Sequence, residues 1–209
     1  MSTIYNRFAG QSLERLAALS DGVFAVAMTL LVLNLVVPEA RGIHTEGDLW
    51  RALVALAPHL LTYVMSFLTL GIFWVGQQTQ INQFRGSDRD LTWLHFCFLL
   101  VVSLTPFSTA LLAGFIGFRV AIVIYWLNIF LLGLTLLASW RYASHAGLLK
   151  DGTTPEMTRA IGRRIIVAQA LYGLGALLCI VSVQLSIGCI FLVQLNYVLA
   201  PRIGILYRL

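Results

Sequence analysis

An all-α membrane protein with six transmembrane helices is the fold class this sequence predicts, on three observations. Hydrophobic residues make up 59% of the 209-residue chain and charged residues only 11%, whereas a water-soluble domain is about a quarter charged. Apolar runs near the roughly 20 residues that cross a bilayer recur along the chain. The basic residues alternate from loop to loop in the pattern that sets membrane topology.

The six spans are expected at residues 16–37, 52–76, 91–113, 120–140, 165–183 and 185–207. Arg7 and Arg15 precede the first as they would a signal peptide. Its apolar stretch is too long for one, and no small-residue cleavage site follows, so a retained helix is expected. Pro58 in the second span and Pro106 in the third are expected to bend or start helices. Before the fifth, "TTPEMTRA" has the form of a helix start, with Thr154 as cap and Pro155 in the first position. Pro201 and Arg202 interrupt the sixth. The longest breaks, 38–51 and 141–164, are too short for a soluble domain, so residues 1–209 form a single six-helix membrane domain.

A net charge of +5 suggests nucleic acid until the charges are placed. With the N-terminus in the cytoplasm, the inner segments hold Arg7, Arg15, Arg85, Arg89, Arg141, Lys150, Arg159, Arg163, Arg164, Arg202 and Arg208. The outer segments hold Arg41, Arg51 and Arg119. Eleven against three is a positive-inside bias that puts both termini in the cytoplasm of a multi-pass protein. No nucleic-acid partner is expected, and membrane lipid is.

Smaller signals are structural. Cys97, Cys179 and Cys189 fall inside spans without metal-type spacing and are expected to be buried packing residues. Trp50, Trp93, Trp140 and Tyr207 stand at span boundaries, where aromatic residues anchor helices at the interface. Gly22, Gly71, Gly133, Gly173 and Gly175 would let helices approach closely. His59 and His95, alone in their spans, are expected to be packed and hydrogen-bonded rather than metal-ligating. No catalytic triad, HExxH, paired acids or phosphate-binding glycine loop is present. The chain is not expected to be an enzyme or to need a cofactor.

The first span carries the chemistry. At about 100° per residue, Gly22, Thr29, Leu30 and Leu33 lie within about 60° of Val26 and form one stripe. Asp21 and Ser20 lie about 140° and 120° from it. An ionisable group inside a membrane helix faces protein, a partner or water. Asp21 is therefore either a hydrogen-bonded anchor, tied to Ser20, Arg15 or another helix, or a proton or cation site. The stripe by itself is either packing or a pore lining.

"RLAALSDGVFAVAMTLLVLNL", residues 15–35, resembles the first-helix signature of the transmembrane protein 175 family of potassium channels, an Arg, four intervening residues ending in Phe, then Ser-Asp. Arg15, Ser20 and Asp21 match, and "LTPFSTALL" in the third span resembles that family's motif there. Leu19 replaces the usual Phe, and "WVGQ" keeps Trp74 but has Gln77 where the family commonly has His. The resemblance implies a homotetramer in the cell membrane, with four first helices around a central pore. Family pore-lining positions five, nine and twelve residues after the motif Asp fall on Val26, Leu30 and Leu33, and a polar pore position eight after it falls on Thr29. It further implies a structural hydrogen-bond network of Arg15, Ser20, Asp21, Trp74 and Gln77, with potassium as the permeating species and no other metal. A ring of aliphatic side chains gates by dewetting, and the chain has no TVGYG filter, so only modest potassium over sodium preference is expected. The alternatives are a secondary transporter or proton pathway using Asp21, and a membrane protein with no flux.

Overall fold

The computed structural model describes residues 12–40 and 42–199, and they form a helical bundle. In chain order the helices are α1 (Leu13–Leu31), α2 (Glu46–Ala55), α3 (Ala57–Gln83), α4 (Arg89–Gly114), α5 (Arg119–His145), α6 (Pro155–Leu177) and α7 (Val183–Leu199). Among the described residues α1, α3, α4, α5 and α6 are long and apolar enough to cross a membrane, whereas α7 has 17 residues. Residues 200–209, with Pro201, Arg202, Tyr207 and Arg208, lie outside the described residues, as do Arg7 and Arg41.

Local chemistry sets the boundaries. Ser12, Asp88 and Thr154 cap α1, α4 and α6 through side-chain oxygens that accept from backbone N–H groups of the first turn. The second expected span, 52–76, is corrected. The chain breaks at Leu56, α2 is a separate short helix closed by a Thr45/Asp48 capping box, and the crossing segment runs to Gln83. Pro58 causes the break because it is tolerated in a first helical turn and not in an interior. The fifth span also moves. Thr154 and Pro155 start α6 ten residues before the apolar run, so Arg159, Arg163 and Arg164 are helical.

The core lies where α3, α4 and α5 meet, with Phe24 of α1 set against Phe98 of α4 at 5.9 Å between ring centroids. It contains a polar seam. Tyr125 Oη lies 3.3 Å from Ser66 Oγ and 3.4 Å from Thr69 Oγ1, Thr109 Oγ1 lies 2.7 Å from Ser66 Oγ, and Gln194 of α7 donates to Thr69 at 2.8 Å. Nearby, Thr105 donates to Asn128, whose amide donates to the Val101 carbonyl. Thr69 and Thr109 also donate to carbonyls in their own helices, those of Met65 and Thr105.

At one end the α3–α4 and α5–α6 loops are clasped together. Arg85 N–H donates to Leu148 O and Lys150 N–H to Gln83 O, both at 2.9 Å, around a bridge between Phe84 and Leu149. Gly147, at φ +67°, makes the turn that lets Leu148 N–H close back on Ala143 O. Arg85, Arg89, Arg141, Lys150, Arg159, Arg163 and Arg164 stand at or near this end, and at the other Arg119 begins α5 and Arg51 lies within α2.

Three smaller expectations need correcting. Trp140 is not an interfacial anchor: it is 1% exposed, stacks on Phe84 and donates to Thr158 O at 3.0 Å. Cys97 is exposed, on the outer face of α4, although Cys179 is buried. Of the glycines, Gly22 and Gly71 face open space. At Gly133 a Cβ would stand 1.9 Å from Gln169 Nε2, and at Gly175 one would stand 3.1 Å from Ile190. Gly133→Leu is therefore expected to destabilise the α5–α6 contact by about 1–3 kcal/mol. Thermal unfolding in detergent checks this, with Gly71→Leu expected to stay near wild type.

Candidate functional site

The site is built on α1 and the two helices behind it. Leu16, Ser20, Phe24, Ala27 and Leu31 recur every three or four residues and are buried against α3 and α4. The opposite stripe is uncovered in the single chain: Val26 is 58% exposed, Leu30 43% and Leu33 69%. Thr29 is exposed on the same side, with its hydroxyl donating to Val26 O at 2.8 Å. Leu33 lies in a 3₁₀ turn, Val32–Asn34, that continues α1, so the 100° step assumed from sequence ends just before it.

Two hydrogen-bonded groups fix α1 to its neighbours. On the buried side, Gln77 Nε2 donates to Ser20 Oγ at 2.7 Å and contacts His95 Nε2, which lies 3.0 Å from Ser20 Oγ. Ser20 Oγ also lies 2.8 Å from Leu16 O. On the exposed edge, Asp21 Oδ1 accepts from Trp74 Nε1 at 2.8 Å and from Gln78 Nε2 at 3.0 Å. The structure thus brings Ser20 to Gln77 and Asp21 to Trp74, on α3. Among the described residues the Arg15 side chain has no hydrogen bond or ion pair and Asp21 none with Arg15, which corrects the expectation that the two are tied together.

Sequence reasoning missed two members. Gln78 follows Trp74 by four residues and so shares its face. His95 was expected to be a packed, hydrogen-bonded residue, and it is. Its place on the buried stripe Leu91, His95, Phe98 and Val102 was the available signal that it faces α1. His59 Nδ1, by contrast, is buried without a hydrogen-bond partner among the described residues.

Asp21 lies eight residues into α1, about 12 Å along its axis. The Thr29 hydroxyl shares the uncovered side with the aliphatic stripe, and the Asp21 carboxylate stands at the edge of that side, held by α3. Such a surface offers oxygen contacts to a cation and an apolar ring to exclude water. It has no nucleophile and base pair to support covalent chemistry.

Residues 15–106 match the family described as endosomal/lysosomal potassium channel TMEM175. The chain is 36% identical over 188 residues to a potassium channel of Streptomyces collinus, covering 88% of this chain and 90% of that one. It is 30% identical over 205 residues to the human endosomal/lysosomal proton channel TMEM175, of which it spans 39%. Its fold is similar, at a TM-score of 0.80 and 28% identity, to the crystal structure of a lysosomal potassium-selective channel TMEM175 homolog from Chamaesiphon minutus, covering 91% of this chain and 98% of that one. The chain is a multi-pass membrane protein and belongs to the TMEM175 family of potassium channels, a family of ion channels and not of enzymes.

Proposed function

We propose that this chain is a potassium-permeable channel subunit, in which four copies of α1 surround the conduction axis and present Val26, Leu30 and Leu33 to it as a hydrophobic constriction. Thr29 supplies oxygen contacts beside the ring. Asp21, through Trp74 and Gln78, and Ser20, through Gln77 and His95, hold the helix at its angle. Six crossing helices per subunit, with α7 in the sixth of the expected spans, and both termini in the cytoplasm complete the reading for a cell-membrane protein.

The observation that carries it is the uncovered stripe of Val26, Leu30 and Leu33, on a helix whose exposed Asp21 carboxylate stands at the far edge of the same uncovered side. Facing lipid, a carboxylate at that depth costs at least about 2.5–3.5 kcal/mol. Facing the inside of an assembly, it meets water or protein and the cost falls away. The same surface is the one that positions counted from the family signature single out.

A second reading has one observation in its favour, the name of the human relative as a proton channel, and would make Asp21 a titrating group on the pathway. Purified protein in liposomes under opposing potassium and sodium gradients, with a pH-sensitive dye inside, separates the two. For the channel, potassium flux exceeds sodium flux by several-fold and survives in Asp21→Asn, with weakened assembly seen by native mass spectrometry. Proton flux abolished by Asp21→Asn while tetramers persist would establish the proton pathway instead. No flux at all from folded tetramers would end both.

A further inference from the structure

Away from α1, the bundle holds a mostly apolar cavity of about 160 Å³ between α3, α5, α6 and α7. One wall is a single face of α6, with Arg164, Ala168 and Tyr172 among its residues, and the facing wall is Val75 and Thr79 of α3. The volume is comparable with the roughly 150 Å³ apolar cavity that takes up a benzene ring, a cross-section that also suits a stretch of acyl chain.

Its polar groups are few and placed by depth. Arg164 is exposed at the clasped end, with its guanidinium 5.7 Å from the centre of the Tyr197 ring. Gln169 stands about 7.5 Å further along α6 and Tyr172 about 12 Å. Gln169 Oε1 and the Tyr172 hydroxyl are buried with no hydrogen-bond partner among the described residues. Helical side chains lean toward their own N-terminus, so the Tyr172 hydroxyl lies nearer the Arg164 level than its Cα does.

The geometry points to a binding site for one anionic glycerophospholipid per subunit. Its phosphate pairs with Arg164, which Tyr197 holds in place by a cation–π contact. An ester carbonyl accepts from the Tyr172 hydroxyl, and an acyl chain lies along Ala168 and Val75. A free anion would leave the apolar trench empty, and an uncharged lipid would leave Arg164 without its partner. Val75 and Thr79 lie on average about 125° around α3 from Trp74, Gln77 and Gln78, so the bound lipid braces α3 on a different face from the one that holds α1.

The test is native mass spectrometry of the purified full chain, delipidated and titrated with phosphatidylglycerol or phosphatidylcholine, alongside thermal unfolding. Wild type is expected to take up one phosphatidylglycerol per subunit, preferred over phosphatidylcholine by about five-fold, the effect of about one cation near an anionic headgroup. Its melting temperature should rise on binding. Ala168→Phe, which fills the cavity, should lose both the bound lipid and the rise. Arg164→Gln should lose the preference, and Arg163→Gln, outside the cavity, should keep it. Retention of the lipid by folded Ala168→Phe overturns the proposal. So do equal loss of preference in Arg163→Gln and Arg164→Gln, and full displacement of the lipid by inorganic phosphate. Should Ala168→Phe fail to fold, the two arginine variants decide. None of these readouts depends on conduction.

Discussion

Potassium flux through liposomes carrying Leu30→Ser is expected to exceed that of wild type by about ten-fold. A hydroxymethyl group in place of an isobutyl group both widens an aliphatic ring and lets water wet it. Ten-fold in rate is about 1.4 kcal/mol of barrier, less than the roughly 1.5–3 kcal/mol that one leucine side chain contributes by leaving water. Even partial relief of dewetting is therefore enough. Leu31→Ser is the internal control. Leu31 is fully buried, on the packed face 100° away, and a buried hydroxyl there should weaken the fold without opening a path. Leu33→Ser should act like Leu30→Ser, since Leu33 is 69% exposed. Equal or lower flux in folded, assembled Leu30→Ser and Leu33→Ser would show that the stripe does not limit conduction.

The largest stability loss is expected from Trp140→Ala, about 3–5 kcal/mol. Trp140 sits among Ile81, Phe84, Leu91 and Ala143, beneath the loop clasp. Its removal empties that cluster and leaves the Thr158 carbonyl without its indole donor. Trp140→Phe keeps an aromatic ring against Phe84 and should lose much less. Trp93→Ala, at a 60% exposed site, should fall within about 0.5 kcal/mol of wild type. Chemical or thermal unfolding in one detergent ranks the three, and a Trp140→Ala protein as stable as Trp93→Ala would refute the assignment.

Trp140 also shows where sequence reading runs short. A tryptophan at the end of an apolar run looks the same whether it meets headgroups or a folded loop, because the difference lies in where residues 84 and 158 arrive. The third and fourth spans were legible within a few residues because long unbroken hydropathy marks them. The second was misplaced because α2 is amphipathic enough to extend the apolar run across Leu56. Thr154 and Pro155 were legible as a helix start, since a cap is local chemistry. In the site, the separation of Ser20 and Asp21 from the stripe followed from helical angle alone. The partners did not: Gln78 and His95 reach α1 only through tertiary placement, and among the described residues the Arg15 side chain makes none of the hydrogen bonds that its position in the motif suggested.

The bond from Gln194 to Thr69 joins residues 125 positions apart, and this bears on how the chain enters the membrane. At about 5–20 residues per second of synthesis, α3 waits roughly 6–25 s before the amide that caps its hydroxyl has been made. Thr69 is not stranded in hydrocarbon meanwhile, because it already donates to Met65 O in its own helix. Thr109 and Ser139 are provided for in the same way. Hydroxyl side chains thus let each helix leave the translocon self-sufficient, and the amides of Gln77, Asn128 and Gln194 are left to select among neighbours once all have arrived.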